Sequence, residues 1–122
     1  MKKIFVILFT LISFNVLALD KNTTFSNEIF KKAQAEGKTV VINSWNKTCS
    51  TCAKQVIILD EAKKKFTNII FLSFEQTKDI EIAKSLGIEY WTTIVVYKNN
   101  KEISRTIGLT KKSKIYSQIN SL

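Results

Sequence analysis

Residues 45–52 read Trp-Asn-Lys-Thr-Cys-Ser-Thr-Cys and contain the only two cysteines of the chain, Cys49 and Cys52. The apolar run before them, residues 39–44, predicts a strand, and residues 50–66 after them predict a helix. Residues three apart share one face of a helix, so we expect the two sulfurs to lie close enough to bond. A cysteine pair where a strand gives way to a helix therefore predicts a redox-active dithiol.

The remaining apolar patterns extend this strand–helix unit in both directions. A helix capped by Ser26 and ended near Gly37 is predicted before it. After it, the patterns predict strands at residues 68–74, 93–97 and 102–107 and helices at residues 79–86 and 111–122. Asn99 and Asn100 suit a tight turn between the last two strands. The predicted fold class is α/β: a small mixed sheet, built from two parallel crossovers and a C-terminal antiparallel hairpin, with helices on both faces.

The N-terminal residues predict a secretory signal. Lys2 and Lys3 precede an apolar stretch at residues 4–14, and residues 16–18, Val-Leu-Ala, suit a signal peptidase. The stretch is shorter than the roughly 20 residues of a membrane span, although an uncleaved anchor remains the alternative. We therefore expect a signal peptide at residues 1–18, cleavage near Ala18, one domain at residues 19–122, and export to the bacterial periplasm or its equivalent.

The charge of the chain raises the question of an anionic partner. The formal net charge is +9, and removing residues 1–18 leaves 17 basic and 10 acidic residues, a net charge of +7. The lysines are scattered, and the clusters at residues 63–65 and 111–112 fall in predicted helices without interleaved aromatics. Nucleic acid is therefore not an expected partner, and membrane contact is expected only if the signal is uncleaved.

The two cysteines are predicted to have different roles. Cys49 falls at the helix N-terminus, where unpaired N–H groups and the helix dipole favour the thiolate, and Lys47 adds positive potential as a tuning residue. Cys52 faces inward and stays a protonated thiol. Cys49 would form a mixed disulfide as the nucleophile, and Cys52 would resolve it. This chemistry requires no cofactor.

Other interpretations of the cysteine pair compete with this one. Half of a zinc site is a weak alternative because the chain has no histidine and no second cysteine pair. A structural disulfide closing so short a loop would stabilise the fold only modestly, and would leave the domain as a binding module. Metal or iron–sulfur binding is a third alternative.

Four segments resemble the thioredoxin superfamily, and the resemblance covers residues 25–122. Residues 40–52 (VVINSWNKTCSTC) look like its strand, tryptophan and active-site motif, and residues 58–61 (ILDE) like the continuing helix. Residues 83–88 (AKSLGI) are similar to the segment before its substrate-docking loop, and residues 94–101 (IVVYKNNK) to its hairpin. The resemblance implies a thioredoxin fold, a nucleophilic Cys49, a resolving Cys52, and exchange with protein thiols or disulfides and a redox partner protein.

The resemblance also implies which residues bind substrate. Trp45 is expected to support the active-site face, and Trp91, Thr92 and Thr93 to form the docking loop, with backbone groups of Thr92 or Thr93 offered to an extended substrate. Trp91 and its neighbour Tyr90 suit a partner's apolar surface, although one of two adjacent aromatics is more simply explained as core.

Two positions depart from the family pattern. The family's cis-proline falls on Thr92, and the chain contains no proline. Because a non-proline cis bond costs about 2.5–4 kcal/mol, the Trp91–Thr92 bond is predicted to be trans. The family's buried acid falls on Asn43, a predicted tuning residue, whose amide cannot accept a proton from Cys52.

Overall fold

The computed structural model describes residues 22–120, so the predicted signal peptide lies outside the described residues. The predicted helices and strands are all present at or near their expected positions. In chain order they are α1 (Asn27–Ala35), β1 (Val40–Trp45), α2 (Ser50–Lys65), β2 (Ile70–Glu75), α3 (Ile80–Leu86), β3 (Thr93–Lys98), β4 (Lys101–Ile107) and α4 (Lys112–Ile119). No helix within residues 22–120 is long and apolar enough to cross a membrane.

Local signals set the ends of several elements as expected. The Ser26 hydroxyl accepts a hydrogen bond of 3.1 Å from the Ile29 N–H and caps α1. Asn99 and Asn100 both have positive φ, as a tight turn between β3 and β4 requires. Gly87 ends α3 in the left-handed conformation.

The four strands form one mixed sheet in the order β2-β1-β3-β4. β1 is parallel to β2, with Val40 opposite Ile70 and Trp45 opposite Glu75. β3 is antiparallel to β1 and β4 is antiparallel to β3. The mixed sheet and the C-terminal hairpin are therefore confirmed.

The second predicted parallel crossover is wrong, because β3 runs antiparallel to β1. A parallel crossover must return the chain along the full length of a strand, about 20 Å for six residues. α3 has only seven residues and spans about 10 Å. The observed pairing shows that the chain enters β3 at the end of the sheet where β1 and β2 finish, which is also the end from which the cysteine segment leaves β1.

Helices cover both faces of the sheet, as predicted. All six residues of β1 are buried, which agrees with a strand packed on both sides. Alternate residues of the strands contribute to two separate cores. The core under α1 and α3 contains Phe25, Ala33, Val40, Ile42, Leu72, Phe74, Ala83, Leu86, Ile88 and Val95. The core under α2 and α4 contains Val41, Leu59, Ala62, Ile94, Val96, Ile115 and Ile119.

Arg105 on the edge strand β4 fastens the end of α3. Its guanidinium donates to the carbonyl oxygens of Gly87 and Leu86, each at 2.9 Å, and pairs with the Glu102 carboxylate at 2.6 Å. The hydrogen bond from Arg105 lowers the pKa of Glu102 below its usual range. The Glu102 ion pair therefore stabilises the fold at pH values above the ordinary carboxylate pKa. This contribution is lost as the pH falls through the lowered pKa of Glu102. Through Gly87, the contact also fixes the start of the segment that leads to β3.

An Arg105→Met variant tests this clamp. Two helix-end carbonyls lose their donor, and we expect a decrease of about 1 kcal/mol in the free energy of unfolding, reduced by partial exposure of the site. Urea denaturation measures the change. Lys38→Met is the matched control, since it removes an exposed ion pair of 3.0 Å with Glu36 and should change nothing measurable. Equal effects of the two substitutions would contradict the clamp.

Candidate active site

Cys49 and Cys52 form a disulfide at the N-terminus of α2, with their Cα atoms 5.2 Å apart. Cys49 is the N-cap residue, as expected, and its Sγ accepts a hydrogen bond of 3.1 Å from the Cys52 N–H. Cys49 is partly exposed, whereas Cys52 is 0% exposed. The geometry therefore presents one sulfur to a partner and holds the other inside.

Asn46 shapes the turn that delivers Cys49 to the helix. Its Oδ1 accepts hydrogen bonds from the Thr48 N–H at 3.0 Å and from the Thr48 hydroxyl at 2.8 Å. Its Nδ2 donates to the Thr77 hydroxyl at 2.8 Å, and its carbonyl accepts from the Cys49 N–H at 3.2 Å. Sequence reasoning missed Asn46, although an asparagine whose side-chain oxygen can accept from the N–H two residues later is a recognisable turn signal.

Trp45 and Lys47 flank Asn46 but face different environments. Trp45 is 1% exposed, and its indole N–H has no hydrogen-bond partner within the described residues. This burial suits the expected support beneath the active-site face, and Trp45 as a substrate-binding residue stays a prediction. Lys47 is exposed on the turn two residues before Cys49, where the positive potential predicted for it would act.

Thr92 adopts an unusual backbone conformation. None of the peptide bonds in residues 22–120 is cis, so the predicted trans Trp91–Thr92 bond is confirmed. Thr92 instead has a φ of +59°, a left-handed conformation that β-branched residues rarely adopt. Its N–H donates to the Ser44 carbonyl at 2.8 Å, and its carbonyl accepts from the Gly108 N–H at 3.0 Å. Thr92 is also buried, and its backbone groups are used within the fold, so its role in offering backbone groups to a substrate stays a prediction.

Thr93 is likewise an internal residue. Its hydroxyl and the Ser44 hydroxyl both donate to the Tyr90 carbonyl, each at 2.6 Å. The Thr93 carbonyl lies 3.4 Å from Asn43 Nδ2, and the side chain is buried. Thr93 therefore anchors the loop from inside, and its role as a substrate contact stays a prediction.

Tyr90 and Trp91 are the accessible residues of this loop. They are 60% and 44% exposed, so the expectation that one of them belongs to the core is wrong. Together with Thr77 and Ile107, they line a groove at the end of the sheet where β1 finishes and β3 begins. Trp91 as a substrate-binding residue stays a prediction.

A pair of buried amides lies behind the cysteines. Asn43 Nδ2 donates to Gln55 Oε1 at 2.6 Å, while Asn43 Oδ1 has no partner within the described residues. Gln55 Nε2 donates to the carbonyls of Thr92 at 3.1 Å and Leu109 at 2.9 Å. Sequence reasoning identified Asn43 and missed Gln55. The available signal was a polar residue three positions after Cys52, within the stripe that α2 buries.

Comparison with known proteins identifies the family. The family model for thioredoxin matches residues 16–121. The chain belongs to the thioredoxin family. Thioredoxin H-type 1 of Nicotiana tabacum is 31% identical over 85 residues, which cover 70% of this chain and 68% of that protein. A thioredoxin of Mycoplasma genitalium is 29% identical over 84 residues, covering 69% and 82%.

Solved structures agree with the thioredoxin assignment. Trxlp from Edwardsiella tarda EIB202 superposes with a TM-score of 0.75 at 20% identity, covering 80% of this chain and 96% of that one. A thioredoxin of Malassezia sympodialis gives a TM-score of 0.66 at 25% identity, covering 77% and 85%. The thioredoxin-like α/β fold and its cysteine pair at bonding distance make this protein a thiol–disulfide oxidoreductase.

Metal ligation finds no geometric support in the part of the chain that the structure describes. Within residues 22–120, no group of three or more histidine, cysteine, aspartate or glutamate side chains is placed to hold a metal ion. The described cysteines are joined to each other. The geometry of this thioredoxin-family site supports exchange at sulfur.

A Thr92→Pro variant tests whether this loop accepts the proline that the thioredoxin pattern places there. Proline fixes φ near −65° and has no N–H, so it suits neither the φ of +59° nor the bond to Ser44. We expect the free energy of unfolding, measured with urea, to fall by about 3 kcal/mol. Thr92→Gly is the control and should change it by less than about 1 kcal/mol, since glycine adopts positive φ readily. An unchanged stability of the proline variant would contradict the described loop.

Proposed function

We propose that this protein is an exported thiol–disulfide oxidoreductase that exchanges disulfides with protein thiols, using Cys49 as the nucleophile and Cys52 as the resolving thiol. The observation that carries the assignment of roles is the difference in exposure between the two sulfurs. Cys49 is partly exposed at the helix N-terminus, and Cys52 is fully buried one turn later. An incoming disulfide reaches Cys49 first.

The helix N-terminus prepares Cys49 for attack. In the disulfide form the Cys52 N–H contacts Cys49 Sγ at 3.1 Å, and after reduction a donor at this place would stabilise a Cys49 thiolate, together with the positive end of the α2 dipole. Exposed Lys47 adds positive potential on the adjoining turn. These features favour the thiolate at the accessible sulfur.

The exchange proceeds in two displacements. The Cys49 thiolate attacks one sulfur of a substrate disulfide, forms a mixed disulfide and releases the other substrate sulfur as a thiolate. Cys52 then loses its proton and attacks Cys49 Sγ, which releases the second substrate thiol and forms the Cys49–Cys52 disulfide. The thiols of Cys49 and Cys52 are thereby oxidised to a disulfide, and one substrate disulfide is reduced to two thiols. The reverse sequence oxidises a substrate dithiol and reduces the Cys49–Cys52 disulfide. Because Asn43 is an amide, the proton of Cys52 passes to water or to the departing thiolate.

A protein substrate suits the surface around the cysteines. Three exposed apolar side chains lie at the end of the sheet from which the cysteine segment leaves β1: Tyr90, Trp91 and Ile107. Aromatic side chains are enriched in protein interfaces because they bury a large area at low entropic cost. Trp91 is therefore proposed to contact an apolar segment of the substrate or of the redox partner protein.

Cys52→Ser tests the assigned roles. Without its resolving thiol, the variant should accumulate mixed disulfides with client proteins, visible as adducts on non-reducing gels that dithiothreitol removes. Turnover of a protein disulfide should fall at least 100-fold, because the second displacement is lost. Cys49→Ser is the matched control and should lose turnover without forming adducts. Equal adduct formation by the two variants would contradict the roles.

Export is proposed from the pattern of residues 1–18, in which two lysines precede a short apolar stretch and a small-residue site. When the full chain is expressed in a Gram-negative host, we expect periplasmic protein beginning at Leu19. Mass spectrometry of the fractionated protein measures this. Leu8→Arg interrupts the apolar stretch and should leave full-length protein in the cytoplasm. Full-length protein in the cytoplasm for both forms would contradict export.

A binding module with a structural disulfide is the second candidate. Two observations favour it: the amide at Asn43, and the internal hydrogen bonds of Thr92, which occupy the backbone groups predicted to pair with substrate. The reduction potential separates the candidates. A value below about −300 mV without exchange toward a protein disulfide supports the binding module, whereas a higher value with exchange supports the oxidoreductase.

A further inference from the structure

Gln55 occupies a central place in the interior behind the cysteines. It lies three residues after Cys52 on the buried face of α2 and is 0% exposed. Its Nε2 donates to Thr92 O at 3.1 Å and Leu109 O at 2.9 Å, and its Oε1 accepts from Asn43 Nδ2 at 2.6 Å. One side chain therefore links the cysteine helix to β1 and to two separate loops.

The loop at Thr92 needs such a link. A threonine with a φ of +59° is strained, and such a conformation persists only where its surroundings hold it. The chain has no proline that would restrict the loop covalently. The Thr92 carbonyl is held by two donors, the Gly108 N–H and Gln55 Nε2, and Gln55 is the one that comes from the cysteine helix.

We propose that Gln55 is a positioning residue for substrate binding: its amide fixes residues 90–92 and Leu109 relative to the cysteine helix, so that Trp91 is presented at a constant place relative to Cys49. The inference rests on the proposed function, because it concerns how a protein substrate docks before exchange at Cys49. Its basis is the set of three hydrogen bonds, each to a different segment of the chain, made by a side chain without solvent contact.

Steady-state reduction of insulin, with dithiothreitol as the electron donor, tests the proposal. Gln55→Met keeps the length and apolar stem of the side chain but removes its donors. Without them the loop samples other positions, and we expect KM for insulin to rise about fivefold while kcat changes less than about twofold. A role confined to stability would not separate KM from kcat for the folded protein.

Gln118→Met is the matched control. Gln118 is a second buried glutamine, on α4, which donates to Ile94 O at 2.9 Å and accepts from the Thr106 hydroxyl at 2.6 Å. It bonds to β3 two residues beyond Thr92 and touches neither loop through these bonds. We expect Gln118→Met to lower the urea midpoint to a degree similar to Gln55→Met and to leave KM unchanged.

The outcomes separate this proposal from the function on which it rests. An unchanged KM in Gln55→Met, or an equal rise in Gln118→Met, would overturn the positioning role while wild-type activity upholds the function. Wild-type protein no faster than Cys49→Ser would overturn both. If Gln55→Met does not fold, Asn43→Ala replaces it: this variant removes the donor to Gln55 Oε1 and should raise KM about twofold, and an unchanged KM there would overturn the proposal.

Discussion

The antiparallel pairing of β3 with β1 is the contact on which the active site depends. Asn43 lies opposite Ile94, and the Thr92 N–H continues the pairing to the Ser44 carbonyl at 2.8 Å. The start of β3 thereby lies at the edge where β1 ends and the cysteine turn begins. If β3 were parallel to β1, residues 90–92 would lie at the opposite end of the strands, where β1 begins, and away from Cys49. The sheet topology therefore brings together two segments that are separated by some 40 residues of sequence.

Uncharged hydrogen bonds hold the interior behind the cysteines together. The thioredoxin pattern resembled by this chain places an acid at Asn43 and a proline at Thr92, and the chain has an amide and a left-handed threonine there. Gln55 joins the two positions, because it accepts from Asn43 and donates to Thr92. Amides do not titrate in the physiological range, so this network keeps its hydrogen bonds across it. The departures at Asn43 and Thr92 are thus physically connected through a single side chain.

Short-range patterns predicted the elements well, and long-range geometry limited the rest. The strand–turn–helix around Cys49, the Ser26 cap and the Asn99–Asn100 turn depend on neighbouring residues, and each was found as expected. The direction of β3 depends on which edge the chain reaches after α3, which apolar periodicity does not encode. The hydrogen bonds of Gln55 join it to partners 12 to 54 residues away in the chain. The burial of Thr92 and Thr93 and the exposure of Tyr90 likewise follow from how distant segments pack. The candidate cysteines and Asn43 were therefore predictable, whereas Asn46 and Gln55 were not.

The loop at residues 90–93 has an inward side that stabilises the fold and an outward side that is accessible to a partner. Inward, the backbone and hydroxyl groups of Thr92 and Thr93 are used within the fold, so substitutions there act on the shape of the loop. Outward, Tyr90 and Trp91 are exposed and belong to neither core. Arg105 fastens the end of α3 just before this loop, and Gln55 holds its far end at Thr92. A loop fixed at both ends presents its outward aromatics in one geometry, and such preorganisation would lower the entropic cost of the substrate docking proposed for Trp91.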